Sequence, residues 1–254
     1  MVTAVVLGLP VIDLAGLIGV LILAGVVKGA TGVGLPLVLV PLATQFLPVP
    51  VAVALLTVPQ TASNIGQAME GGDTLAAVRR LLPILATLIL GTLIGVHLLI
   101  NIDRRRLSLI LGITFLGLAA LLACLRRVRI SARTARWLGP AVGFSAGIIG
   151  GLSAMFGPPM IAYLLGTGAP PNAFVKSMAI VAFTASLTLA LALGGSGAMT
   201  LFDYLVSAVC IIPIQAGMPL GRWLRRRIKP EAFRILVLGV LAASGLDMLR
   251  RALF

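Results

Sequence analysis

Charge is what this sequence has least of. Only 11% of its 254 residues are Asp, Glu, Lys or Arg, against about 25% in an ordinary soluble domain. With 59% hydrophobic residues, so few charges do not cover a water-facing surface, which excludes a typical soluble globular protein. Aromatics are also scarce, at 5%. Apolar and polar residues do not alternate with period two, and that argues against an outer-membrane barrel. The two cysteines, Cys124 and Cys210, lie in or at the ends of apolar runs, and His97 is the single histidine. Neither a disulfide framework nor a metal-ligand spacing can be built from them. The acidic residues Asp13, Glu70, Asp73, Asp103, Asp203, Glu231 and Asp247 all map near segment ends, so a carboxylate proton relay inside a span is not visible. No nucleotide-binding motif and no nucleophile–base pair occurs. The chain therefore reads as neither an ATP-driven pump nor an enzyme, and no cofactor is expected. The opening MVTAVVLGLP carries no basic side chain and does not read as a cleaved leader.

What is present is a series of apolar runs separated by charge clusters or Gly/Pro breaks. A membrane span needs about 20 mostly apolar residues, and the length accommodates roughly eight to ten spans. The runs fall at 11–30, 34–47, 50–69, 78–100 and 105–124, then at 137–152, 156–168, 171–193, 202–222 and 231–250. Between the two sets lies the basic linker RRVRISARTAR, 126–136. The fold class is thus an all-α polytopic membrane protein. Its first repeat is 1–125 and its second is 137–254. The runs at 34–47 and 156–168 are too short to span alone. They follow GATGVG (29–34) and GGLSAMFG (150–157), where a helix should break.

The halves repeat. GVVKGATGVGLPLVLVPL (25–42) lies over GIIGGLSAMFGPPMIAYL (147–164) at an offset of 122 residues. Gly25 meets Gly147, Gly29 meets Gly151, Thr31 meets Ser153 and Pro36 meets Pro158. Further on, Gly91 and Gly95 meet Gly217 and Gly221. Basic residues test the direction of the two copies. If all ten runs cross, one face receives 13 of the 20 Lys and Arg and the other receives Arg104, Arg105, Arg106, Arg250 and Arg251, with Lys28 and Lys176 left over. If 34–47 and 156–168 are re-entrant and eight runs cross, the faces receive 9 and 9. The positive-inside bias favours ten crossings, five per half. An odd number makes the halves an inverted repeat with both termini outside, an architecture that holds solutes where helices break. The same bias accounts for the net charge of +13. The basic loops are short and lack interleaved aromatics, so nucleic acid is not an expected partner and the lipid bilayer is.

Three constellations are candidate substrate-binding groups. The first is Lys28 with Gly29, Thr31, Gly32 and Gly34, followed by Pro36. A helix that begins there presents unpaired N–H groups and partial positive charge to an anion, with Lys28 as counter-charge. The competing reading is a lysine that snorkels to the interface beside glycines that permit close packing. The second is the related break at Ser153, Met155 and Gly157, where Gly150 replaces the lysine. Lys176 appears after the GAPPN turn, with snorkelling as an equal alternative. The third is PQTASNIGQ (59–67), in which Gln60, Ser63, Asn64 and Gln67 share one helical face. Such a stripe faces a cavity or another helix, not lipid. Its counterpart in the second half is AFTASLT (182–188), and Gln215 follows Pro213 in a later span.

At GVVKGATGVGLPLVLVPLA (25–43), GGLSAMFGPPMIAYLL (150–165) and PLGRWLRRRIKPEAFRILVLGVLAASGL (219–246), the chain resembles the sulfite exporter TauE/SafE family, also called the toluene sulfonate uptake permease (TSUP) family. The resemblance covers essentially the whole chain. It implies a secondary permease of the prokaryotic cytoplasmic (inner) membrane for sulfite or organosulfonate anions. Alternating access and export are the expected mode. An anion channel and a non-transporting scaffold are the alternatives. A homodimer is admissible and not required.

Overall fold

A computed structural model of the chain describes residues 2–31, 34–69, 74–124, 130–225, 227 and 230–253. Among the described residues it contains helices and connecting turns and no strand. The helices are α1 Val2–Leu7, α2 Val11–Thr31, α3 Leu35–Ala43, α4 Val49–Met69, α5 Thr74–Asn101 and α6 Arg104–Cys124, then α7 Ala132–Ser153, α8 Gly157–Gly166, α9 Pro171–Gly195, α10 Leu201–Val209, α11 Ile211–Arg225 and α12 Pro230–Leu253. Each apolar run of the sequence becomes a helix, with three departures. α1 is additional. The run at 202–222 is divided at Cys210 into α10 and α11, because Pro213 has no N–H for the carbonyl of Val209 and its ring crowds that carbonyl. α7 begins inside the basic stretch, where the Ser131 hydroxyl accepts from Thr134 N, so residues 132–136 are helical. Residues 126–129 of that stretch lie outside the described residues.

Among the described residues, four stretches are long and apolar enough to cross a membrane: Val11–Ala30, Thr74–Asn101, Asn172–Gly195 and Leu201–Leu224, with Val49–Ile65 a shorter apolar helix. Ile12, Leu90, Ile113, Leu191 and Val209 point outward. This is the surface of a protein solvated by hydrocarbon. α3 and α8 differ from the rest. With 9 and 10 residues each rises about 14–15 Å, half of a roughly 30 Å hydrocarbon core. All of α3 except Leu42 is buried.

Two helix pairs pack backbone to backbone. A Cβ on Gly25 of α2 would stand 2.0 Å from the Ile214 carbonyl oxygen of α11, and one on Gly29 would stand 2.2 Å from that of Met218. In the same way Gly91 and Gly95 of α5 meet the carbonyls of Phe144 and Ile148 of α7. The register rises together in both pairs, so both are parallel. α6 and α12 instead run antiparallel, with Gly112 against Leu249 and Gly245 against Leu116.

Contacts at the helix ends bring distant segments together. Arg105 Nε donates to the Ala252 carbonyl (2.6 Å) and Arg251 donates to the Thr44 carbonyl (3.0 Å) and to Gln45 Oε1 (2.7 Å). Thr44, Arg105 and Arg251 therefore share one end, as ten crossings require. With eight, Arg105 and Ala252 would lie on opposite faces. The C-terminal end of α8 sits elsewhere: Ile130 N donates to the Gly166 carbonyl (2.7 Å), and Tyr163 Oη donates to that of Ala135 (3.1 Å). Residues 130–135 are separated from Arg104 by α6, about 32 Å long. α3 and α8 therefore point their C-termini to opposite ends of the molecule. α1 is tied to α10 by Asp203, whose carboxylate accepts from Thr3 N (2.8 Å) and Thr3 Oγ1 (2.9 Å) while closing a capping box with Thr200.

Candidate functional site

Both expected breaks are present. Between α2 and α3 the chain turns through Gly34, which has φ +104° and is the N-cap of α3 with no side-chain cap bond. A residue with a Cβ resists that backbone. Between α7 and α8 the turn falls on Ala154, the single non-glycine residue with positive φ (+59°) among the described residues. Its neighbour Ser153 holds the turn, donating to the Ile149 carbonyl (2.7 Å) and accepting from Met155 N (3.3 Å). α8 then starts at Gly157, with Pro158 and Pro159 following and again no side-chain cap bond. Proline in a first turn forfeits no helical bond. It also removes donors, at Pro158 and Pro159 here and at Pro36 in α3.

The two uncapped N-termini, approached from opposite ends, meet at one cavity of about 40 Å³. Gly34, Leu35 and Pro36 of the first break and Phe156, Gly157 and Pro158 of the second line it, together with the polar Lys28, Gln60 and Asn64 and the apolar Ile161, Met178 and Ala182. A buried water needs roughly 10–15 Å³ on this measure. The space therefore suits about three waters or one anion of a few heavy atoms.

Lys28 is 3% exposed, so it does not snorkel. Its Nζ donates to Ser63 Oγ (2.6 Å) and Asn64 Oδ1 (3.2 Å). Ser63 in turn donates to the Gln60 carbonyl (3.0 Å), which leaves its lone pairs for the lysine. An ammonium has three donors, so one is left for a ligand. No carboxylate lines the cavity among the described residues. A buried cation held by neutral acceptors keeps most of its field, and the positive ends of two helix dipoles add to it. Gln60 Oε1 is buried with no partner among the described residues, a polar group left unsatisfied beside the cavity.

The structure thus brings together Lys28, Gly34, Gln60, Ser63 and Asn64 from the first half with Gly157 from the second. Other candidates stand elsewhere. Gly29 is pressed on the backbone of Met218, Ser153 and Met155 are buried in the turn without lining the cavity, and Gln215 is exposed on α11. Lys176 is half-buried near the start of α9 and is not in the lining. Gly32 and the side chains of Thr31 and Gln67 lie outside the described residues. In the counterpart stretch Ser186 and Thr188 donate to their own helix, at Phe183 and Thr184. The lining residues that sequence reasoning did not single out are Leu35, Leu37, Ile161, Met178 and Ala182. The 122-residue offset is the signal for Ala182, since it lays Gln60 over that residue, as it lays Gly34 over Phe156.

A family model described as Sulfite exporter TauE/SafE matches residues 17–248. Comparison with curated proteins and with solved structures gives no match.

Proposed function

The chain belongs to the sulfite exporter TauE/SafE family and is an integral-membrane transporter; on that premise we propose that it moves a small sulfur oxyanion of sulfite size through the cavity at Lys28. The observation that carries this reading is the meeting of two uncapped helix N-termini and one uncompensated lysine at a space of about 40 Å³. Three oxygens sharing negative charge match such a set: one accepts from Lys28, and others accept from backbone N–H groups at the starts of α3 and α8. The small volume favours sulfite over larger organosulfonates in this conformation. The apolar lining residues Met178, Ala182 and Ile161 leave part of the anion without partners, which selects against fully hydrated ions.

Two copies running in opposite directions fit this site. The support is that α6 and α12, the last helices of each half, are antiparallel neighbours, and that α3 and α8 approach the cavity from opposite ends. Alternation of access would then need pieces that move. The glycine crossings bind α2 to α11 and α5 to α7, and each pair joins a helix of one half to a helix of the other. The halves therefore do not rock as intact bodies. The cross-half pairs are the units that tilt about α3 and α8, exposing the cavity to one face and then the other. Export of an anion from a negative-inside cell gains about 2.3 kcal/mol per charge per 100 mV, so outward movement needs no carboxylate relay.

The test is a thermal-shift panel on purified protein followed by flux in proteoliposomes. Sulfite should raise the unfolding temperature, by the equivalent of about 2.7 kcal/mol when present at a hundred times its dissociation constant. Acetate should not. Labelled sulfite should exit the vesicles faster when the interior is made negative. Stabilisation by carboxylates alone, or no flux of any sulfur oxyanion, would refute the reading.

A further inference from the structure

A second, larger cavity of about 730 Å³ opens at the other end of α3, where the loop from Thr44 to Pro48 and the first turn of α4 meet the start of α6 and the end of α12. Three arginines line it: Arg104, Arg105 and Arg251. Two of them are fixed by backbone contacts. Arg105 donates through Nε and Nη2 to the carbonyls of Ala252 and Leu253. Arg251 joins Thr44 and Gln45 to Asp247. Five arginines crowd this end (Arg104, Arg105, Arg106, Arg250 and Arg251), while its two aspartates, Asp103 and Asp247, already pair with Arg106, Arg250 and Arg251. Arg104 has no hydrogen bond or ion pair among the described residues. Ser108, one turn further along α6, lines the same wall. By the ten-crossing count this end lies opposite the basic majority, where the positive-inside bias disfavours arginine.

We propose that this arginine-lined cavity is a second oxyanion site, distinct from the Lys28 cavity, which takes an acidic headgroup carried on an apolar body. The guanidinium groups present planar pairs of donors that match an oxyanion, and Arg251 on the Thr44 carbonyl neutralises the negative end of α3 that would otherwise repel it. The volume far exceeds what a bare oxyanion fills, and the remaining walls, including Phe46, Leu99, Ile102, Leu107 and Met248, are apolar. Anionic phospholipid and a free alkyl sulfonate both have this chemistry.

The experiment separates the two sources and does not depend on the Lys28 site. In delipidated full-length protein, hexanesulfonate is titrated against thermal stability, with inorganic sulfate at equal ionic strength as the headgroup-only control. In a parallel arm, native mass spectrometry follows retention of phosphatidylglycerol from nanodiscs, against phosphatidylcholine alone. The expected result is that Arg104→Gln weakens one or both ligands by about tenfold. Lys28→Met and Arg79→Gln, the latter at the opposite end of α5, should leave that response unchanged. A response confined to lipid assigns the cavity to the bilayer, and one confined to hexanesulfonate assigns it to a soluble solute. Equal responses of Arg104→Gln and the unsubstituted chain to both ligands would overturn the proposal, as would loss of the response in Lys28→Met.

Discussion

Replacing Lys28 by methionine abolishes anion binding and leaves the protein folded. Methionine keeps the length of the buried stem and removes only the charge and its donors. Truncating one member of a buried charge pair weakens a complex by roughly 2–5 kcal/mol, or about 30-fold to several thousand-fold. The empty protein should lose little, because the substitution also removes the cost of holding an unneutralised ammonium out of water. Ser63 Oγ and Asn64 Oδ1, which accept from Lys28 Nζ, would lose a donor, which sets off part of that gain. Isothermal titration with sulfite, beside an unfolding scan of the ligand-free protein, separates the two effects. Unchanged affinity would remove Lys28 from the site. A collapsed unfolding temperature without ligand would make it a structural residue.

Gly25→Ala and Gly147→Ala should each cripple the fold, although alanine is the better helix former. At Gly25 the new methyl would meet the Ile214 carbonyl oxygen at 2.0 Å, and at Gly147 that of Leu88 at 2.3 Å. Both obstacles are backbone, so the helices must part. Overpacking of this kind costs about 3 kcal/mol. At Gly117 and Gly239 a Cβ meets nothing within 4 Å, and alanine there should be neutral or stabilising by up to about 1 kcal/mol. Yield of monodisperse protein and unfolding temperature check all four. Equal tolerance at Gly25 and Gly117 would mean that α2 and α11 are not in close contact, and the cross-half pairs would lose their role as moving units.

Much of the architecture was legible because its signals are local. GATGVG and GGLSAMFG break the helices they interrupt through residues that need no tertiary help: a glycine with φ +104° at Gly34 and prolines in the first turn of α8. The stripe of Gln60, Ser63 and Asn64 was legible from its helical period, and it is this face that meets Lys28. The apolar lining was not. Met178, Ala182 and Ile161 are apolar residues in apolar helices, and lipid and protein interior make the same demand on such side chains. A polar residue in a span announces that it avoids lipid without saying what it meets, and so Ser186 and Thr188 were drawn into the candidate stretch although their hydroxyls are engaged by their own helix. Gln215 shows the limit of that rule, being exposed on α11. The division at Cys210 carried a signal in Pro213 that the unbroken hydropathy of 202–222 masked. The arginines at 104–106 and 250–251 were assigned to one face by counting alone, and the contacts of Arg105 and Arg251 with Ala252 and Thr44 gather them there.

Selenite, the heavier congener of sulfite, offers the most direct measurement. A structure of the full-length protein saturated with selenite, recorded so that selenium scatters anomalously, should show one strong peak at the Lys28 cavity, within hydrogen-bond reach of Lys28 Nζ and of the backbone at Leu35 and Gly157. A vacant cavity at saturating selenite, or selenium bound solely at another place in the molecule, would contradict the assignment of that space to the transported anion.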